Sequence, residues 1–298
     1  MELEDLKGII VPLLTPVDED ENIDEKKLRK IVEHVITHGI HGILAFGSNS
    51  EFYMFDEDEQ IEGMKIIIDQ TKGRVPLYFG IGAIRTKHAI RLAKKAAQLD
   101  INGISILQPM FIRPTEEALY NHFKTIAEAV PEKFVLLYNN PGKTGYAISL
   151  NNVEKLANNV KNIVGMKDSS GDLTYTSEVI RRNNDIGFRV FTGKDTITYP
   201  GLCIGAVGAV MSTGNMFTEL VTDIYNNYVE GNYEKALELQ FKLNPVRISQ
   251  DAASFPAATK DMANLLGMEV GKSVLPTPES KGKVLEDMKR TIKDANLL

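Results

Sequence analysis

A lysine ends an apolar run in IVGMKDSSGD, residues 163–172. Ile163, Val164 and Met166 have the composition of a buried strand, and Lys167 stands where that strand should stop. Lysines are rarely buried without a partner or a task. Desolvation penalises the ammonium form, and a neutral amine in a dry site can attack a carbonyl to form a Schiff base. The competing reading is a lysine that snorkels from a strand end to solvent. Tyr138 ends another apolar run, KFVLLYNNP, where its phenol could pass protons near such an imine. A core tyrosine with a satisfied hydroxyl is its alternative. Ser48 and Asn49, in GSNSEF, offer hydroxyl, amide and backbone N–H groups to a carboxylate, or else ordinary turn and capping chemistry.

These residues need a scaffold that brings distant segments to one place. Short runs rich in Val, Ile and Leu recur along the chain: GIIVPLLTP from Gly8, GILAFG from Gly42, VPLYFGIG from Val75 and GISILQP from Gly103. KFVLLYNNP from Lys133, IVGMKDS from Ile163, FRVFTG from Phe188 and GAVGAVMS from Gly205 complete a set of eight. Continuous rather than alternating hydrophobicity implies strands covered on both faces, hence a parallel sheet with crossover helices. Helical stripes lie between the runs. Leu28, Ile31, Val32, Val35 and Ile36 form one, with Gly39 as its stop. Thr115 is placed to cap a second helix that buries Leu119, Phe123, Ile126, Ala127 and Val130, and Thr86 a third carrying Ala89, Ile90, Ala93 and Ala97.

Eight strands, each followed by a helical pattern, predict a (β/α)8 TIM barrel, whose working residues sit at the C-terminal strand ends. A doubly wound open sheet competes, but no GxGxxG follows the first strand. Beyond about Thr218 the pattern is helix after helix, so the chain divides into a barrel over 1–222 and a helical C-terminal subdomain over 223–298. The strand ends gather GSNSEF, YNNPGKTG, Lys167, TGKD and VMSTGN, which supply an amine, a phenol, hydroxyls and amides.

Composition excludes several functions. The 298 residues carry 34 basic and 40 acidic side chains, net −6, with no basic run of the kind that tracks a phosphate backbone. Nucleic acid is not an expected partner. The one cysteine, Cys203, has no second thiol for a disulfide or a CxxC site, which fits a reducing compartment. The acidic start MELEDLKGIIVPLLTP lacks the features of a signal peptide, and no apolar window approaches the roughly 20 residues that span a bilayer. A soluble cytoplasmic protein with no membrane partner is expected. His34, His38, His41, His88 and His122 fall mostly in or beside helical patterns and are given no catalytic role; no carboxylate and histidine cluster marks a metal site at the strand ends.

The motifs GSNSE, YNNPGKTG and GMKDSSGD, in that order and spacing, resemble those of the dihydrodipicolinate synthase/N-acetylneuraminate lyase family of class I aldolases. The resemblance runs from GIIVPLLTP to the closing helices. It implies that Lys167 forms a Schiff base with pyruvate or another 2-oxo acid, so that no cofactor or metal is needed. Tyr138 would be the general acid and base, and Ser48 and Asn49 the anchors of the keto-acid carboxylate. Gly193 and Val210 would line the pocket from strands seven and eight. A homotetramer is also implied, with Tyr146 and the region of Phe111 as contact points unless they are ordinary surface or core.

Departures from the family pattern bear on the second substrate. PMFIRP places Met110 and Phe111 where dihydrodipicolinate synthases usually have a tyrosine pair, and Phe111 has no proton to relay. Lys143 replaces the arginine of PGRTG, keeping the charge that would hold an aldehyde's carboxylate but losing the bidentate fork. Ser50 stands where the family has glycine. The Ser-Asn pair and KDSSGD look more like aldolases of 4-hydroxy-2-oxoglutarate and 2-keto-3-deoxy sugar acids, with Ser169 facing substrate hydroxyls. The preferred expectation is therefore a lyase that cleaves such an acid to pyruvate and an aldehyde. The alternatives are dihydrodipicolinate synthase, condensing pyruvate with aspartate semialdehyde, and a non-catalytic keto-acid binding protein.

Overall fold

Apolar runs with no polar alternation have two faces to bury, and a closed sheet wrapped by helices buries both. The computed structural model describes residues 2–298. Its strands are β1 Gly8–Pro12, β2 Gly42–Ala45, β3 Leu77–Ile81, β4 Gly103–Leu107, β5 Phe134–Asn139, β6 Ile163–Asp168, β7 Arg189–Thr192 and β8 Gly208–Val210. They pair in parallel in chain order and β8 closes onto β1, which is the expected (β/α)8 barrel. Closure is tight. A Cβ on Gly208 would lie 1.9 Å from the carbonyl oxygen of Gly8, so only glycine lets these two strands approach.

The helices in the first half are α1 Glu25–Thr37, α2 Glu57–Thr71, α3 Thr86–Ala97, α4 Glu116–Glu128, α5 Pro141–Thr144 and α6 Leu150–Asn159. There follow α7 Leu173–Arg182, α8 Thr198–Cys203, α9 Thr218–Val229, α10 Tyr233–Ser249, α11 Ala257–Leu265 and α12 Lys283–Asp294. α1 buries Leu28, Ile31, Val32 and Val35, is capped by the Asp24 carboxylate on the Lys27 N–H, and is followed by Gly39 at φ +87°. Thr115 caps α4 as expected, its hydroxyl accepting from the Ala118 N–H. Thr86 does not cap α3. The helix begins on Thr86 itself with Arg85 at the cap, so the hydroxyl is free to reach across to His122 Nδ1 of α4, 2.8 Å away.

Side-chain alternation along the strands makes two apolar layers. Ile10, Leu44, Tyr78, Leu136, Phe191 and Val210 fill the barrel interior, with Leu6 below them. Ile9, Val11, Ile43, Phe79, Val135 and Leu137 belong to the larger layer between strands and helices. α9 packs against β1, and it spans residue 222, where the sequence reading placed the end of the barrel. α10 continues from it across α8 and the loop after β7, so the C-terminal helices lie over the side where β7 and β8 end. Among the described residues no helix is long and apolar enough to cross a membrane.

Candidate active site

Parallel register decides the first contact of the site: Tyr138 on β5 is the pairing partner of Lys167 on β6. Strands bring these two side chains together although 28 other residues separate them in sequence. Both line a cavity of about 140 Å³ at the C-terminal mouth of the barrel. Asn49, Lys143, Ser169, Gly193 and Val210 line the same cavity. Ser48 is not on its wall but lies directly behind, with Oγ 3.4 Å from Tyr138 Oη. All eight residues singled out from the sequence thus meet in one place.

Lys167 is only 3% exposed, yet no carboxylate pairs with it among the described residues. Its Nζ instead lies 4.1 Å from the centroid of the Tyr138 ring. Asp168, its chain neighbour, points the other way. That carboxylate accepts from Asn139 Nδ2, the Ser170 N–H and hydroxyl, and Thr176 Oγ1, at 2.7–3.1 Å. Such a saturated acceptor fixes the strand end without neutralising the amine beside it.

Burial pushes the Tyr138 phenol up, but the positive charge of Lys167 and the polar side chains of Ser48, Asn140 and Ser169 outweigh it, and the phenol lies below the usual tyrosine range. Asn140 Nδ2 donates to Tyr138 Oη at 2.8 Å. The hydroxyl therefore sits in a short polar chain, Ser48–Tyr138–Asn140, beside a buried amine. Such an arrangement can deliver and accept protons where the amine reacts. On the opposite wall Gly193 is held by its N–H to the Asp168 carbonyl, 2.6 Å, and a Cβ there would meet Ser169 Oγ at 2.1 Å. Ser169 donates to the Gly193 carbonyl at 3.3 Å.

Ser48–Ser50 form a single 3₁₀ turn after Gly47. The N–H groups of Ser48 and Asn49, at its start, donate to no protein atom among the described residues, so two backbone donors remain for an anion. Ser50, the departure from the family glycine, ties the turn to β1 by donating to the Leu13 carbonyl at 2.6 Å. The left-handed residue is the next one, Glu51, at φ +56°.

Glu51 is buried with Lys260 of α11 in an ion pair of 2.6 Å, and its other oxygen accepts from the Val274 N–H. Burial pushes the Lys260 ammonium down despite this partner. Removing one partner of such a pair leaves an uncompensated charge, and Lys260→Met is expected to cost about 3–5 kcal/mol in urea unfolding. The double variant Glu51→Gln/Lys260→Met should recover most of that loss; equal destabilisation by single and double variants would contradict the assignment.

The sequence reading missed one wall of the cavity. Lys194, Asp195, Arg247, Asp251 and Phe255 also line it. Asp195 belongs to the TGKD strand end, and its Oδ2 accepts from Ser212 Oγ and from the N–H and hydroxyl of Thr213. Arg247 and Asp251 lie on and just beyond α10, with no motif to mark them. Tyr146 is core: it is buried, and its hydroxyl donates to the Pro109 carbonyl at 2.7 Å. Phe111 is 89% exposed at φ +75°. A larger cavity of about 660 Å³ beside α2 and α3 contains none of the eight residues.

The profile of the dihydrodipicolinate synthetase family matches residues 5–295. A 4-hydroxy-tetrahydrodipicolinate synthase of Methanopyrus kandleri is 32% identical over 294 residues, 98% of this chain and 97% of its own. The enzyme of that name from Trichlorobacter lovleyi is 36% identical over 261 residues, 88% of this chain and 89% of its own. Among solved structures, the dihydrodipicolinate synthase of Acinetobacter baumannii, crystallised with pyruvate, is 30% identical with a TM-score of 0.94, covering 98% of this chain and 100% of that one.

Proposed function

The chain belongs to the dihydrodipicolinate synthetase family, whose members are pyruvate-dependent enzymes of the class I aldolase type, and on that premise we propose that it joins pyruvate, held as an imine on Lys167, to an aldehyde. The observation that carries this reading is the buried Lys167 amine without an acidic partner, set against the Tyr138 ring and hydroxyl chain.

In this scheme the pyruvate carboxylate rests on the N–H groups of Ser48 and Asn49. The free amine of Lys167 adds to C2, and Tyr138 gives the proton that lets the carbinolamine oxygen leave as water. Loss of a proton from C3 turns the iminium into an enamine, whose C3 attacks the aldehyde carbon while the aldehyde oxygen takes a proton. Water, or an amine of the adduct itself, then displaces Lys167. Read backwards, the same steps break the C3–C4 bond, because the iminium accepts the electron pair.

Condensation with aspartate semialdehyde takes precedence over the cleavage preferred from the motif departures, since the relatives named above are synthases along most of their length. Cleavage of a 2-keto-3-deoxy acid is the second reading, supported by Phe111, which has no hydroxyl to contribute, and by Lys143 in place of a guanidinium. A turnover panel decides between them. Pyruvate with aspartate semialdehyde should give the highest kcat/KM, above 2-keto-3-deoxygluconate, 4-hydroxy-2-oxoglutarate and N-acetylneuraminate. A higher value for any of the last three would reverse the order.

The proposal includes a cytoplasmic homotetramer. Exposed Phe111 and Ile112 offer an apolar contact for a second copy. Sedimentation of the purified chain at a four-subunit mass is expected, and Phe111→Asp should shift the distribution to smaller species.

A further inference from the structure

Arg247 projects from α10 onto the outer wall of the cavity that holds Lys167. Its side chain is only 14% exposed. A guanidinium has five N–H donors in a planar fork, and burying them without acceptors is costly. Among the described residues it makes one hydrogen bond, from Nη1 to Asp251 Oδ1 at 2.8 Å, and its Nε is buried with no acceptor. Asp251 is itself 66% exposed, so water weakens its hold.

The other charged groups on the wall do not satisfy this fork. Asp195 is near enough to favour the Arg247 cation through its charge, but no hydrogen bond joins the two among the described residues, and one of its oxygens is committed to three donors from the strand-eight end. Lys143 is stacked on Phe255, with Nζ 4.8 Å from the ring centroid. With the iminium charge on Lys167 offset by the first carboxylate of the bound 2-oxo acid, the rest of the cavity wall has Lys143, Lys194 and Arg247 against Asp195 and Asp251, which leaves an excess of one cation. In the proposed scheme the first carboxylate of the substrate is held at Ser48 and Asn49, which leaves Arg247 uncommitted beyond its bond to Asp251.

We propose that Arg247 is a specificity-determining residue that receives a second carboxylate at the far end of the substrate, so that the enzyme takes aldehydes bearing an anion and the corresponding 2-oxo dicarboxylates rather than neutral polyhydroxy aldehydes. This supplies from α10 the planar fork that position 143 lacks, and it rests on the reading that the cavity binds 2-oxo acids. A planar fork suits a carboxylate better than a point charge does, which gives the assignment a chemical signature.

Calorimetric titration of the full chain tests it, using saturated 2-oxo dicarboxylates of five, six and seven carbons, each beside the counterpart in which a methyl group replaces the far carboxylate. In the unaltered protein, one chain length should bind about tenfold or more tightly than its methyl counterpart, the scale of a charge-assisted pair of hydrogen bonds. Arg247→Met should bring that ratio close to one, and Arg247→Lys should leave an intermediate ratio. Absence of a preference at every length overturns the proposal, as does a full preference surviving in both variants. If Arg247→Met does not fold, an unchanged ratio in Arg247→Lys is sufficient to overturn it. Failure of pyruvate to be trapped on Lys167 would instead remove the Schiff-base reading, and the calorimetric ratio does not depend on trapping.

Discussion

Replacing Lys167 by methionine is expected to abolish covalent labelling by pyruvate and borohydride and to lower turnover by on the order of 10⁴-fold or more, the scale of deleting a covalent nucleophile. Peptide mass analysis should find the reduced adduct on Lys167 of the unaltered protein and nowhere else. Folding should survive the change. Methionine fills a similar volume, and no carboxylate is left unpaired, because none pairs with this lysine among the described residues. The unfolding midpoint should therefore hold or rise while activity disappears. Arginine is the sharper control: it keeps the positive charge but is not deprotonated in proteins, so Lys167→Arg should be equally inactive. Turnover persisting in either variant would remove the imine from the mechanism.

Tyr138→Phe is expected to lower kcat by about 10²–10⁴-fold, the range of a positioned general acid or base. Only an oxygen is removed, so the packing of the ring beneath Lys167 Nζ should remain. Its partners also predict how the loss should look. Burial raises the phenol, while Lys167 and the polar groups of Ser48, Asn140 and Ser169 bring it below the ordinary tyrosine range. If the protonated phenol is the acid, the alkaline fall of kcat should come at lower pH than for a free tyrosine and be absent in Tyr138→Phe. Lys167→Met removes the largest lowering influence, so phenolate absorbance of Tyr138 should then appear only at higher pH. An alkaline limb unchanged by Tyr138→Phe would assign the proton transfers to another group.

In the proposed reaction the aldehyde is selected at the outer wall of the cavity. Lys143 and Arg247 approach that wall from α5 and from α10, two elements far apart in the chain. Charge there selects the incoming partner in the proposed scheme, whereas Lys167 and Tyr138 carry out the bond making. On that scheme a change of wall residues would alter specificity and leave the proposed imine chemistry intact.

Much of this molecule was legible in one dimension. Runs such as GISIL and FVLLY have no polar alternation, so they had to be covered on both faces, and eight of them with helices between are satisfied by a closed barrel. The positions of Lys167 and Tyr138 at strand ends followed from the same count, since a polar residue terminating an apolar run marks the mouth. Other features depended on three-dimensional neighbours. Thr86 had the right residue type for a cap, but a one-residue shift in the helix start gave its hydroxyl to His122. Tyr146 had no local mark of burial, and its fate was decided by the carbonyl of Pro109, 37 positions away.

Periodicity reports whether a segment has one face to bury or two, and it therefore determined the strands, the barrel and the strand-end location of the amine and phenol. It carries no information about which segments meet. The pairing of Tyr138 with Lys167, the Glu51–Lys260 ion pair beneath the turn, and the guanidinium of Arg247 on the outer wall arise from register and from how the C-terminal helices fold back over the mouth. These features gather residues from distant parts of the chain, and only the closed tertiary structure brings them to one place.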